Sequence, residues 1–470
     1  MITKFVLARL VNMSLPAPNP GRSEEHDSPA RRENSRRIDR SIARLALPAL
    51  GALIAEPLFL IVDSAMVGHL GATSLAGLAI ASAILQTAVG LMVFLAYSTT
   101  PLVARRMGAG RLQGAVQAGV DGLWIAIGIG ALIGIGVWAA TPALVGAFEA
   151  EPAAAEQARV YLSISSAGIP AMLIVFATTG LLRGLQDTRT PLLVAGIGFT
   201  LNALLNWWFI YGLGFGIAGS ATGTVIAQWA MVATYTVVVV RHVRRSGAGL
   251  MPRRDGLALT GRSGWWMFVR TLGLRAAILA TVAAAASHGT VATAGFQVVF
   301  TILSTAAFAL DALAIAAQAL VGAALGASDA EHARAVVRRV IFWGLALGAA
   351  AGALLVVCSP LIGRIFTNDE GVLAILPWAL AVLGLTMPLA GYVFVLDGVL
   401  MGAGDVRYLA WAGLANLVVY LPVVWALTLL PTGTVGLLAL TAGYAIVYMG
   451  ARAATLGLRA RGERWVRLGE

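Results

Sequence analysis

The chain has 470 residues, of which 59% are hydrophobic and only 12% charged, and its formal net charge is +11. A soluble domain averages about 45–50% apolar and about 25% charged residues, so this composition excludes a water-soluble globular protein. Apolar runs of about 20 residues or more recur, each able to cross a hydrocarbon layer as helix, and the alternating pattern of a β-barrel is absent, which leaves an all-α integral membrane protein.

Residues 1–40 are rich in Arg, Ser, Pro and Glu, and the run FVLARLV is too short and too interrupted by Arg9 for a signal peptide. A disordered basic cytoplasmic tail is expected there. Six spans follow, at about 41–68, 74–104, 114–140, 159–182, 191–212 and 218–241, giving an N-terminal lobe over 41–241. The basic, polar stretch RHVRRSGAGLMPRRDGLALTGR (242–263) reads as a cytoplasmic linker. Six further spans, at about 264–288, 293–325, 334–358, 372–401, 407–430 and 435–458, give a C-terminal lobe over 264–459, with a short cytoplasmic tail at 460–470.

The basic residues orient these spans. With both termini inside, nearly all of the 33 Lys and Arg are cytoplasmic. They lie in the first tail, at Arg105, Arg106 and Arg111, at Arg183 and Arg189, through 241–270, at Arg334, Arg338 and Arg339, at Arg407, and from Arg452 to Arg467. Arg159 and Arg364 fall outside, and Arg275 lies within span seven as the one clear intramembrane base. This is the positive-inside pattern, so the net charge reflects topology and requires no nucleic acid. A single lysine, Lys4, against many arginines points to a GC-rich bacterial coding sequence and a bacterial plasma (inner) membrane. The single cysteine, Cys358, excludes an internal disulfide.

The two halves repeat each other at a constant offset of 218 residues. PLVARRMGAG (Pro101 to Gly110) falls on ALVGAALGAS (Ala319 to Ser328), Phe148 on Phe366, Pro170 on Pro388, Gly184 on Gly402, Asp187 on Asp405 and Arg189 on Arg407. Such duplication in a membrane chain points to two halves that move against each other about a central site.

Ionisable groups inside the spans need a partner or a wet cavity, because an ionised group at mid-membrane costs about 2.5–3.5 kcal/mol on insertion scales. Asp63, late in span one, is the sharpest case. It follows Glu56 by two turns on one helix face, and Pro57 between them removes a backbone hydrogen bond and marks a hinge. An acid on a bendable helix suits a protonation-driven switch; alternatively it anchors helices through a hydrogen bond. Asn202 and Asn206 share a face of span five, and Thr224 stands among small residues of span six. Their oxygens could accept from a protonated Asp63, join a shell around Na⁺, or bond only between helices. Asp311 in span eight and Asp397 in span ten have no repeat partner, mapping to Val93 and Thr179, and form a possible C-lobe polar site. Glu56 and Asp121 lie nearer the cytoplasmic ends, and the paired turns carrying Asp187, Arg189, Asp405 and Arg407 are expected to fix turn geometry.

No Walker A loop, Rossmann glycine pattern or serine elbow occurs in context, and the five histidines lack metal-ligand spacing, so no enzyme, ATP-driven pump, cofactor or resident metal is expected. A passive channel is one alternative from a different class.

The segment EPLFLIVDSAMVGHLGATSLAGLAIAS resembles the opening of multidrug and toxic compound extrusion (MATE) transporters. RGLQDTRTPLLVAG, DGVLMGAGDVRYLAWAG and LDALAIAAQALVGAALGA resemble the DinF (DNA-damage-inducible protein F) branch of that family, over about residues 40–460. The resemblance implies twelve helices in two six-helix lobes about a central cavity, a monomer in the lipid bilayer, and alternating-access antiport of small amphiphilic or cationic compounds against H⁺ or Na⁺. Asp63 matches the family's first-span cation-coupling aspartate, and Asn202 and Thr224 match polar residues around it. Asn206 departs from the aspartate of some members, and one carboxylate fewer favours H⁺ over Na⁺. A lipid-linked precursor flippase of the same superfamily is the alternative, and Arg275 standing as the single intramembrane base counts against its anionic substrate.

Overall fold

A computed structural model of the chain describes residues 29–366, 370–430 and 434–469. Within them are 12 helices long and apolar enough to cross a membrane. They are α1 (Pro29–Gly68), α2 (Ala72–Gly108), α3 (Leu112–Gly146), α4 (Pro152–Gly184), α5 (Arg189–Gly212) and α6 (Gly216–Ser246) in the first half. The second half holds α7 (Arg254–Ser287), α8 (Thr290–Gly326), α9 (Ala330–Phe366), α10 (Glu370–Gly402), α11 (Val406–Thr428) and α12 (Val435–Arg461). No strand occurs among the described residues. Large apolar side chains such as Ile61, Leu132, Leu204, Val357, Leu385 and Trp425 are exposed while polar groups such as Asp63, Asn206 and Asp397 are buried. That inversion of the soluble pattern is what a lipid-facing surface demands.

Two expected boundaries move. Residues 29–40, assigned above to the disordered tail, are the first turns of α1; the tail's residues 1–28 lie outside the described residues. Glu33 and Arg37 pair one turn apart at 2.7 Å on that segment, a local contact that favours helix. The linker expected over 242–263 shrinks to 247–253, because α6 runs to Ser246 and α7 begins at Arg254. Gly247 ends α6 at φ 71, a left-handed position open to glycine.

A stripe along α3 grips that short connection. Gln113 donates to the Gly247 carbonyl at 2.7 Å, Gln117 to that of Met251 at 3.0 Å, and Trp124 to that of Leu250 at 2.9 Å. Asp121 accepts the Arg253 amide at 2.9 Å, just before the first turn of α7, and so satisfies a backbone donor at that helix start. Asp121 is therefore committed to holding the connection.

The chain divides into two compact units, one of residues 47–268 and the other of 269–469 together with the α1 residues up to Ala46. The division crosses α1 beside Pro48 and crosses α7 at Phe268. In the unit containing the C-terminal half, Asp39 of α1 is held to α9 by Arg339, whose Nε donates at 2.8 Å, and by Trp343, whose Nε1 donates at 2.9 Å.

The repeat read from sequence is realised contact by contact inside each unit. Gly180 of α4 lies on the Ala96 backbone of α2, and Gly398 of α10 lies on that of Ala314 in α8. Gly184 meets the Thr100 carbonyl as Gly402 meets that of Gln318; Gly130 and Gly134 of α3 press on Pro170 as Gly348 and Gly352 of α9 press on Pro388 and its neighbours. Each pair obeys the offset of 218. The turns repeat as well: Gly110 and Ser328 take φ 73 and 59, and Gln186 and Gly404 take φ 62 and 70. Small residues let helix backbones approach where lipid offers no hydrophobic drive between helices.

One of these close contacts is testable. A methyl group on Gly348 would overlap the Met387 carbonyl, whereas one on Gly136 meets nothing within 4 Å. Gly348→Ala should destabilise the protein by about 1–3 kcal/mol through overpacking, and Gly136→Ala should be neutral or slightly stabilising; thermal unfolding in detergent compares the two.

Candidate functional site

Asp63 stands near the C-terminal end of α1, and three other helices of the same unit converge on it. From α5, Asn206 Nδ2 donates to Asp63 Oδ1 at 2.8 Å and to Asn202 Oδ1 at 3.1 Å. From α6, Ser220 Oγ donates to the same Oδ1 at 2.6 Å, and Thr224 Oγ1 accepts from Asn202 Nδ2 at 2.9 Å. From α4, Tyr161 reaches the other carboxylate oxygen at 3.4 Å. All six side chains are buried, Asp63 with 4% of its surface exposed and Asn206 with none. The result is a carboxylate enclosed by neutral hydrogen-bond donors, an arrangement that satisfies a negative charge without a counter-ion.

The structure thus brings Asp63, Asn202, Asn206 and Thr224 into one hydrogen-bonded cluster and adds Tyr161 and Ser220, which sequence reading passed over. Ser220 lies one turn before Thr224, so helical spacing puts it on the same face; Tyr161 carries no comparable signal. One polar atom of the cluster has no partner: Asn206 Oδ1 is buried and unbonded. It points at the backbone of Gly223, where a Cβ would overlap it. Pro57 lies within α1, which continues through it as helix, and Glu56 is exposed and outside the cluster.

The corresponding place in the other unit is neutral. By the offset, Asp63 falls on Thr281 and Asn202 on Tyr420, and these two hydroxyls bond each other at 2.9 Å. Asp397 of α10 accepts from Arg270 Nη2 of α7 at 2.7 Å and from Arg452 Nη2 of α12. Asp311 of α8 is half-buried. The arginines of the C-terminal half differ in burial. Arg275 is exposed, whereas Arg270 and Arg452, placed at the cytoplasmic surface from sequence, are buried about 24 Å into α7 and about 13 Å from the end of α12. Asp187 fixes its turn by accepting the Arg189 and Thr190 amides, whereas Asp405 pairs with Arg459 of α12.

The MatE family profile matches residues 48–208 and 273–426, well over half of the chain and most of both halves. The chain belongs to the MatE family. Among MATE relatives, Protein DETOXIFICATION 44, chloroplastic, of Arabidopsis thaliana is 30% identical over 389 residues, covering 80% of this chain and 74% of the relative. DNA damage-inducible protein F of Escherichia coli is 33% identical over 306 residues, covering 62% and 64%. The Vibrio cholerae MATE transporter VcmN, solved in a bent form, shares the fold with a TM-score of 0.83 at 21% identity, covering 91% of this chain and 98% of that one. A MOP superfamily transporter from Pyrococcus furiosus gives a TM-score of 0.80 at 24% identity, covering 90% and 95%. The chain is accordingly a multi-pass membrane protein whose relatives are transporters.

Two substitutions test the geometry of the Asp63 cluster. Gly223→Ala should force Asn206 away from Asp63, and Ser220→Ala should remove the shortest bond to the carboxylate. Each should lower stability by about 1–3 kcal/mol, read as a fall in thermal midpoint of the detergent-solubilised protein. Asp63→Asn in the Ser220→Ala background should lose less than the sum of the two single changes, since both remove the same bond.

Proposed function

We propose that the chain is a secondary active efflux antiporter that exports small amphiphilic or cationic compounds in exchange for H⁺, by alternating access of its two lobes. The observation that carries this reading is the sealed Asp63 carboxylate, held by donors from three helices, in a member of a family that includes multidrug resistance proteins. Those relatives include the probable multidrug resistance protein NorM of Thermotoga maritima, 24% identical over 379 residues. The basic-residue pattern supports a bacterial inner-membrane location with both termini cytoplasmic. The chain acts as a monomer within the lipid bilayer and needs no nucleic acid or resident cofactor.

The donor set favours H⁺ over Na⁺. Na⁺ binds to oxygen lone pairs, yet an amide N–H and a hydroxyl O–H both aim at Asp63 Oδ1. A proton arriving on Asp63 turns the carboxyl from acceptor into donor and so requires an acceptor. The unbonded Asn206 Oδ1 supplies one when the amide of Asn206 turns over. Loss of the charge then loosens the hold of the donors from α4, α5 and α6 on α1, with Pro57, six positions before Asp63, absorbing the resulting bend. MATE transporters have been solved in both straight and bent conformations, in keeping with such a switch.

The test is efflux of a dye panel from vesicles under an imposed H⁺ or Na⁺ gradient. Wild type should respond to H⁺, and Asp63→Asn should insert normally but lose gradient-driven export by at least about tenfold, equivalent to about 1.4 kcal/mol of coupling. Undiminished uphill export by Asp63→Asn would refute the assignment of Asp63, and a response to Na⁺ alone would refute the choice of ion.

A further inference from the structure

We propose that the exposed arginine stripe Arg36, Arg40 and Arg44, on the first turns of α1, is a binding surface for the phosphate headgroup of an anionic phospholipid in the cytoplasmic leaflet. Such binding is separate from export and from the ion that drives it.

Helical spacing makes the stripe. The three arginines stand at i, i+4 and i+8, so they share one face, one turn apart, and cover about 12 Å of helix axis. All three are exposed, and none has a hydrogen bond or ion pair from its guanidinium to another described residue. The two acids of the segment are engaged elsewhere, Glu33 with Arg37 at 2.7 Å and Asp39 with Arg339 and Trp343. The stripe thus keeps its full charge. Its direction is fixed as well, because the opposite face of the same turns buries Ile38, Ile42 and Leu45. Aromatic rings mark the depth: Trp343, whose indole N–H donates to Asp39, and Phe342 beside it are exposed, as rings at the headgroup level are. Leu47, three positions on from Arg44, is 68% exposed, an apolar side chain where acyl chains begin.

The duplicated half carries the same feature. By the offset of 218, Arg36, Arg40, Arg44 and Leu47 fall on Arg254, Ala258, Arg262 and Trp265 at the start of α7. All four are exposed, neither guanidinium is bonded to another described residue, and the opposite face buries Thr260 and Met267. An exposed tryptophan one turn beyond the last arginine is an interfacial anchor. Asp255 adjoins Arg254, and Ala258 leaves the middle of that row without charge, so the α1 stripe is the stronger of the two. Topology alone asks only for basic residues on the cytoplasmic side, in any arrangement. Alignment turn by turn on one exposed face, just before an exposed apolar residue and in both halves, suits phosphates lying in a plane. Guanidiniums one turn apart, about 5–6 Å between Cβ atoms, can grip one phosphate from two sides through paired N–H donors.

Native mass spectrometry of the full chain in detergent, titrated with palmitoyl-oleoyl phosphatidylglycerol, tests this, with phosphatidylcholine of the same acyl chains as the zwitterionic control. Wild type should bind phosphatidylglycerol more tightly than phosphatidylcholine by at least about tenfold. Each arginine of the stripe changed to glutamine should weaken phosphatidylglycerol binding by about fivefold and leave phosphatidylcholine binding as it was. The triple variant Arg36→Gln, Arg40→Gln, Arg44→Gln should lose the preference. Arg40→Gln alone, a single exposed change, keeps the test open should the triple variant fail to insert. Arg159→Gln takes the same charge from an exposed residue beside Glu156, outside the stripe, and should bind as wild type does. Equal affinity for the two lipids, affinity unchanged in Arg40→Gln, or an equal loss in Arg159→Gln overturns the proposal. Displacement of phosphatidylglycerol by inorganic phosphate at matching concentration overturns the choice of a lipid in favour of a free anion.

Discussion

A carboxylate can be buried in a membrane protein only where the helices around it supply hydrogen bonds that water would otherwise give, and the N-terminal lobe is arranged to meet that demand at Asp63. Donors from α4, α5 and α6 meet one residue of α1, so the charge on Asp63 fastens four helices together. Remove the charge and the same donors lose their acceptor. On the proposed reading, a single protonation event would alter the packing of α1 against three neighbours, the kind of local charge change that biases a two-state element. Gly223 is part of this arrangement: its missing side chain leaves room for the one oxygen of Asn206 without a partner.

The duplicated scaffold separates what the fold requires from what the chemistry requires. Glycine contacts at 180, 184, 130 and 134 recur at 398, 402, 348 and 352, and the left-handed turns recur with them. The polar equipment does not recur. Where the first lobe has Asp63 and Asn202, the second has Thr281 and Tyr420 bonded to each other; where the second has an acid outnumbered by two bases, the first has only Ala52, Thr179 and Thr234. Helix packing has been copied faithfully while charge has been placed differently on each copy, one lobe burying an acid among neutral donors and the other an acid with a surplus of cations.

The architecture was legible because hydropathy over twenty-residue windows and a fixed repeat are both properties of long stretches, robust to local error. Asp63, Asn202, Asn206 and Thr224 were legible for a narrower reason: polar groups in apolar helices stand out, and helical spacing tells which share a face. Tyr161 was not, since a tyrosine among apolar residues reads as ordinary interior. Arg270 and Arg452 were misplaced because hydropathy marks where the apolar run fades, whereas α7 begins at Arg254 and α12 continues to Arg461, so charged residues beyond the apolar window still lie inside packed helix. Asp397 stood out as an acid in an apolar helix, but its two arginine partners could not be read, because they sit on α7 and α12, far away in sequence. The helical start at 29–40 was missed because it is polar throughout, and nothing in its periodicity announces the contact that Asp39 makes with Arg339.

Those misplaced arginines change how the chain's net charge is to be understood. Most of the excess does belong to cytoplasmic ends, where the positive-inside rule puts it and where it orients the protein. Arg270 and Arg452 do not orient anything, because a buried guanidinium is screened from the membrane surface by the protein around it. Their placement opposes insertion and helix packing alike, and a carboxylate shared between them offsets only half of that opposition. Selection for fold alone has a simpler solution in hand, since the same lobe architecture is assembled in the other half from alanine and threonine at those places.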